Sequence, residues 1–170
     1  MRQLRTLMIV IALVALAATA VAGSPDEKVA RPRSTADVVQ AKVLPGGLVG
    51  KAGADVELEI HLKIADTWHL YDHQYVLDEE SYFIGVNLMP AEDANLAGFG
   101  AVFPAGEEGE FMGEKVVMLH HEAVIQVTVT LPDDATGTAR IPFVLTAQAC
   151  DDKICLQPSD IAVVASVTVE

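Results

Sequence analysis

From residue 38 onward, apolar and polar positions alternate with a period of two, which sends successive side chains to opposite faces of an extended strand. The longest run sets Val56, Leu58, Ile60, Leu62 and Ile64 on one face and Glu57, Glu59, His61 and Lys63 on the other. His61 is therefore expected to face solvent. A second run places Ile125, Val127, Val129 and Leu131 inward and Gln126, Thr128 and Thr130 outward, ending at a turn made by Pro132, Asp133, Asp134 and Gly137. The chain then returns through Ile141, Phe143, Leu145 and Ala147, and a last strand carries Ile161, Val163, Ala165, Val167 and Val169. Shorter strands are expected at 38–44, 84–89 and 116–119. No segment sustains a helical period, and no internal repeat is present. About seven short strands separated by Gly and Pro turns predict an all-β fold, an antiparallel β-sandwich.

The first 22 residues break this pattern. Arg2 and Arg5 precede an unbroken apolar run from Leu7 to Ala18, and small residues close the segment at Ala20, Val21 and Ala22. This layout predicts a secretory signal peptide at 1–22, cleaved after Ala22. An uncleaved anchor is the competing reading, but the run is shorter than the roughly 20 residues that span a bilayer. No cysteine stands at the cleavage site, so no lipid anchor is expected, and stable membrane insertion after cleavage is not expected either. Residues 23–35, rich in Pro, Lys, Arg, Ser and Asp without apolar periodicity, read as a flexible linker. The domain is expected to occupy 36–170.

Charge narrows the range of partners. Without the leader, nine basic residues face 24 acidic ones, a net charge of −15. Nucleic acid and anionic lipid are repelled by such a surface. Two cysteines in an exported chain meet an oxidising compartment, so a disulfide is their default state.

Two stretches interrupt the alternation. Residues 67–75 gather Trp68, His69, Tyr71, His73 and Tyr75, and residues 105–114 read as a loop in which Gly106, Gly109 and Gly113 surround Phe111 and Met112. An apolar pair inside a glycine-rich acidic loop suggests that Phe111 covers something.

The two cysteines, Cys150 and Cys155, are separated by Asp151, Asp152, Lys153 and Ile154, with strand-like sequence on both sides. They are expected to face each other across a hairpin, where opposed Cα atoms lie about 4.5 to 5.5 Å apart, a span that suits a disulfide. Closing so short a loop stabilises the fold by only about 2 kcal/mol. That modest gain leaves room for a second purpose, exchange with another protein's thiols. Exchange needs a thiolate and an accessible sulfur; Lys153 favours the thiolate, while Asp151 and Asp152 oppose it. A structural disulfide and a zinc site recruiting His120 and His121 are the alternatives, although adjacent histidines on a strand point to opposite faces. No metal is expected, and no motif for a cofactor, a serine triad or a phosphate loop is present.

The run from Ala147 to Pro158, with its cysteines, intervening acidic residues and following proline, resembles the active-site hairpin of the N-terminal periplasmic domain of the thiol:disulfide interchange protein DsbD. Thr67, Trp68, His69, Leu70 and Tyr71 resemble the aromatic strand end of that domain, and Glu110, Phe111, Met112 and Gly113 its cap loop. The resemblance implies an immunoglobulin-like β-sandwich in the periplasm with thiol:disulfide interchange activity of the protein-disulfide reductase type. Cys155 would be the sulfur attacked by a partner thiolate and Cys150 the one that resolves the mixed disulfide. Phe111, with Met112 beside it, would cap the pair, and His69 and Tyr71 would line the site. The implied partners are thioredoxin-fold periplasmic proteins and a membrane-embedded thiol reductase. The best-known member of the family spaces its cysteines by one residue more than the four found here, and it continues into a transmembrane and a thioredoxin-like domain. The present module is thus expected to meet its electron donor in trans. An immunoglobulin-like binding domain with a purely structural disulfide is the alternative function.

Overall fold

The computed structural model describes residues 31–76 and 80–170. The expected signal peptide at 1–22 and the linker as far as residue 30 lie outside the described residues. The strands among the described residues are β1 (Val39–Leu44), β2 (Leu48–Gly50), β3 (Asp55–Ile64), β4 (His69–Tyr71), β5 (Asn87–Pro90), β6 (Gly98–Val102), β7 (Glu107–Phe111), β8 (Glu114–His120), β9 (Glu122–Thr130), β10 (Gly137–Ala147), β11 (Ala149–Cys150) and β12 (Ser159–Val169). They form sheets in the orders β1-β3-β9-β6, β2-β12-β10-β5 and β11-β4-β8-β7. Every pairing is antiparallel except that of β2 with β12. The architecture is a β-sandwich, as the alternation implied, and its immunoglobulin-like form is the one the resemblance implied.

The register follows from the apolar faces. Val56, Leu58 and Ile60 of β3 stand opposite Val129, Val127 and Ile125 of β9, because any one-residue slip would turn all of them to solvent. In the second sheet Ile141 and Phe143 of β10 stand opposite Ala165 and Val163 of β12. These inward rows meet in one continuous core. The strands of the longest apolar runs thus supply its bulk.

Three strands come from sequence that does not alternate. Residues 105–114, expected as a loop, fold instead as the β7–β8 hairpin. Its turn residues Met112 and Gly113 have φ of 51° and 87°, the two positive values of the tight I′ turn that matches strand twist. The acidic and glycine-rich sequence of β7 hides this strand, which sits at a sheet edge and pairs on one side only. β4 is concealed within the aromatic stretch 67–75, and β6 reads Gly-Phe-Gly-Ala-Val, with too few apolar positions to show a period.

Candidate functional site

The small sheet β11-β4-β8-β7 has two apolar faces, and alternation decides which residue serves which. Leu70 is opposed by Leu119 on one side and Ala149 on the other, and all three belong to the main core. Their chain neighbours point the other way. His69 is opposed by His120 and by Cys150, and Tyr71 by Met118; two residues farther along β8, Val116 stands opposite Gly109. Tyr71, Phe111, Val116, Met118 and Cys150 form a second, separate apolar cluster, with Tyr75 and Phe83 packed against it. This is why β4 is buried along its whole length.

The cysteines close the end of this face. Cys150 and Cys155 form an isolated antiparallel bridge and a disulfide with S–S 2.02 Å and Cα–Cα 4.0 Å. The Cα separation falls below the about 4.5 to 5.5 Å of a regular ladder, and the pair flanks a tight turn. In that turn Asp151 donates its amide to the Ile154 carbonyl at 2.9 Å, and its Oδ1 accepts the amides of Lys153 and Ile154, each at 2.8 Å. These amide bonds hold the Asp151 carboxyl below the usual carboxylate range. Below the turn, Leu156 donates to the Ala149 carbonyl at 2.8 Å. Thr35, the last residue of the expected linker, is completely buried beside this hairpin. Its hydroxyl accepts the Ala149 amide at 2.8 Å and donates to the Gln157 carbonyl at 3.0 Å.

The two sulfur-bearing residues differ in access. Cys150 is 0% exposed, whereas Cys155 is exposed together with Asp152, Lys153 and Ile154.

Phe111 reaches the site from the tip of the β7–β8 hairpin. It is 7% exposed, with its ring 5.7 Å from that of His69 and 6.1 Å from that of Tyr71, both edge-on. Two residues earlier on β7, a Cβ at Gly109 would meet the terminal methyl of Met118, which would have to shift. Met112, by contrast, occupies the turn itself and is 81% exposed. The structure thus gathers Cys150, His69, Tyr71 and Phe111 around one cluster with Cys155 at its rim, and leaves Met112 outside the packing.

Two buried polar atoms on this face lack hydrogen-bond partners among the described residues, His69 Nε2 and the Tyr71 hydroxyl. Burial pushes the His69 imidazole below its usual value, aided by His120 and opposed by the charges of Asp152 and Asp151. Burial likewise pushes the Tyr71 phenol up, with Tyr75 and Tyr82 adding to the effect. Both groups are neutral at neutral pH.

Sequence reasoning missed several contributors. Phe83 lies 4.5 Å from the Tyr71 ring in a stretch without periodicity. The Tyr75 hydroxyl accepts the Val117 amide at 2.9 Å, which explains a second tyrosine so close to Tyr71. Trp68 packs against the main core instead. His120 faces His69, while His121, at φ 57°, lies 3.8 Å from the exposed Asp66 carboxylate. Among the described residues, no three His, Cys, Asp or Glu side chains group as metal ligands. Nor is any helix there long and apolar enough to cross a membrane.

The family model for the N-terminal part of the thiol:disulfide interchange protein DsbD matches residues 40–165. Among solved structures, the N-terminal periplasmic domain of ScsB from Proteus mirabilis superposes with a TM-score of 0.57 at 14% identity, over 76% of this chain and 46% of that one. This likeness concerns the fold, and the chain spans about half the length of its ScsB counterpart. The DsbD N-terminal domain of Neisseria meningitidis in its reduced form matches at 25% identity over 68% of this chain and 80% of that one, with a TM-score of 0.45. No curated protein matches.

Proposed function

This chain belongs to the family of DsbD N-terminal domains, and from that membership we propose that it is a periplasmic electron-relay module working through Cys150 and Cys155. Family membership and the Cys150–Cys155 disulfide together support thiol:disulfide exchange. The proposal adds direction and partners. A membrane-embedded thiol reductase reduces the pair, and thioredoxin-fold periplasmic proteins are reduced by it in turn. Export through cleavage after Ala22, and a domain beginning near residue 36, belong to the same proposal.

The observation that carries this reading is the unequal access of the two cysteines. Exchange needs one sulfur that a partner can reach and a second held ready nearby. In the reducing half-cycle, a partner thiolate attacks Cys155 Sγ; a mixed disulfide forms, and Cys150 leaves as the thiolate. A second thiolate of that partner then displaces Cys155, leaving both cysteines reduced and the partner oxidised by two electrons. In the delivering half-cycle, the Cys155 thiolate attacks a partner disulfide and Cys150 closes the ring, releasing the partner as a dithiol. Phe111 is proposed as the cap over the Cys150 side, and His69 and Tyr71 as the lining.

The test is the thiol:disulfide equilibrium of the purified protein against a glutathione series, read by mass after trapping free thiols. A midpoint above about −300 mV supports the relay, since structural bridges typically lie below that value. Mixed disulfides trapped with Cys150→Ala then identify the partners. A bond that opens only when the domain unfolds would overturn the relay and leave a binding domain with a structural disulfide.

A further inference from the structure

Cys150 has to lose a proton before it attacks, yet it is shut off from bulk water. The groups that face it therefore decide where the proton goes. Across the ladder Cys150 stands opposite His69 of β4, and directly opposed residues share a face with Cβ atoms about 4.5 to 5.5 Å apart. We infer that His69 accepts the Cys150 thiol proton at Nε2 in the step that closes the Cys150–Cys155 disulfide. This inference rests on the exchange reading above and assigns a proton-transfer role within it.

The remaining polar groups on this face are poorly suited to the task. The Tyr71 phenol keeps its proton, because burial pushes its ionisation up. The Asp151 carboxylate oxygen is engaged by the amides of Lys153 and Ile154, and Asp152 is exposed on the turn. His120 lies on β8, across β4 from Cys150. Phe111 offers no base. His69, only 5% exposed, has a ring nitrogen without a partner among the described residues, and an unsatisfied buried group in a native fold calls for an explanation.

The environment of His69 fits the task. Burial and His120 keep the imidazole neutral near neutral pH, so a tautomer protonated on Nδ1 presents a lone pair at Nε2. Asp151 and Asp152 favour the imidazolium that forms transiently. His120, half-buried and with its ring 5.7 Å from that of His69, offers the proton a way out. The step balances: the Cys150 S–H bond breaks and its proton passes to Nε2. The sulfur lone pair attacks Cys155 Sγ, the intramolecular S–S bond forms, and the mixed S–S bond breaks with its electron pair leaving on the partner sulfur. In reverse, the imidazolium returns the proton to Cys150 as it departs.

The test uses the reduced full chain and dithiobis(nitrobenzoate), which releases one coloured thiolate when Cys155 reacts and a second when Cys150 closes the ring. In the native protein the second phase should reach a plateau once His69 is neutral. A rate still rising tenfold per pH unit up to the ordinary thiol range, about 8.5, would overturn the inference. His69→Gln should slow the second phase about 100-fold relative to the first at neutral pH, with the deficit vanishing as the pH rises toward that range. A second phase of native rate in His69→Gln, or one slowed equally at every pH, would also overturn it. Where His69→Gln does not fold, the native profile decides alone. A native protein that releases no second thiolate overturns the exchange reading itself and this inference with it.

Discussion

The Thr35 hydroxyl lies between the two arms of the cysteine hairpin, accepting from the Ala149 amide at 2.8 Å and donating to the Gln157 carbonyl. Thr35→Val keeps the shape and removes both bonds, stranding a buried amide. The expected loss is about 1 to 3 kcal/mol, read from urea unfolding of the oxidised protein, with Thr35→Ser close to native. A Thr35→Val protein as stable as the native one would show that the hydroxyl is not what secures the hairpin.

Unequal access predicts unequal chemistry. After reduction, iodoacetamide should modify Cys155 at least about tenfold faster than Cys150, measured by peptide mass at short times. Equal rates would mean that the aromatic cluster opens freely once the disulfide is gone.

Phe111→Ala removes a buried ring from the small cluster and should cost about 3 kcal/mol. It should also speed alkylation of Cys150 while changing Cys155 little. Met112→Ala, at an exposed turn, should stay within about 0.5 kcal/mol of the native stability. An unchanged Cys150 rate in Phe111→Ala would count against the cap.

Stability should fall with pH in two separate ranges. His69 is held below its unfolded value of 6.5, so the unfolded chain takes up a proton there first. The associated stability is complete above about pH 6.5 and is lost as the pH falls toward the folded value. Asp37 and Asp151, both held below 3.8 by backbone amides, add stability that is present above that value and lost at more acid pH. Urea midpoints across pH should show both ranges, and His69→Gln should lack the upper one. A native midpoint that stays flat between pH 7 and 5 would contradict the histidine assignment.

The sandwich was legible because β3, β9, β10 and β12 bury one face each, and a buried face leaves a period of two in the sequence. The small sheet left no such trace. His69, Leu70 and Tyr71 are all buried because β4 faces the main core on one side and the cysteine cluster on the other, so polarity does not alternate. β7 hides for the opposite reason: Glu107, Glu108 and Glu110 are exposed at an edge, and only Phe111 is buried. The cysteine hairpin could be read from its spacing and flanking strands, and Phe111 from its odd setting. Phe83 and Thr35 could not be found in this way, because each owes its place to contacts with residues distant in the chain.

Leu70, Leu119 and Ala149 anchor to the main core the very strands that hold His69, His120 and Cys150. The site thus inherits the rigidity of the sandwich, and much of its geometry is set before any partner arrives. An incoming protein has to order little beyond its own approach and the exposed turn from Asp152 to Ile154, so the entropy lost on encounter falls mainly on the visitor.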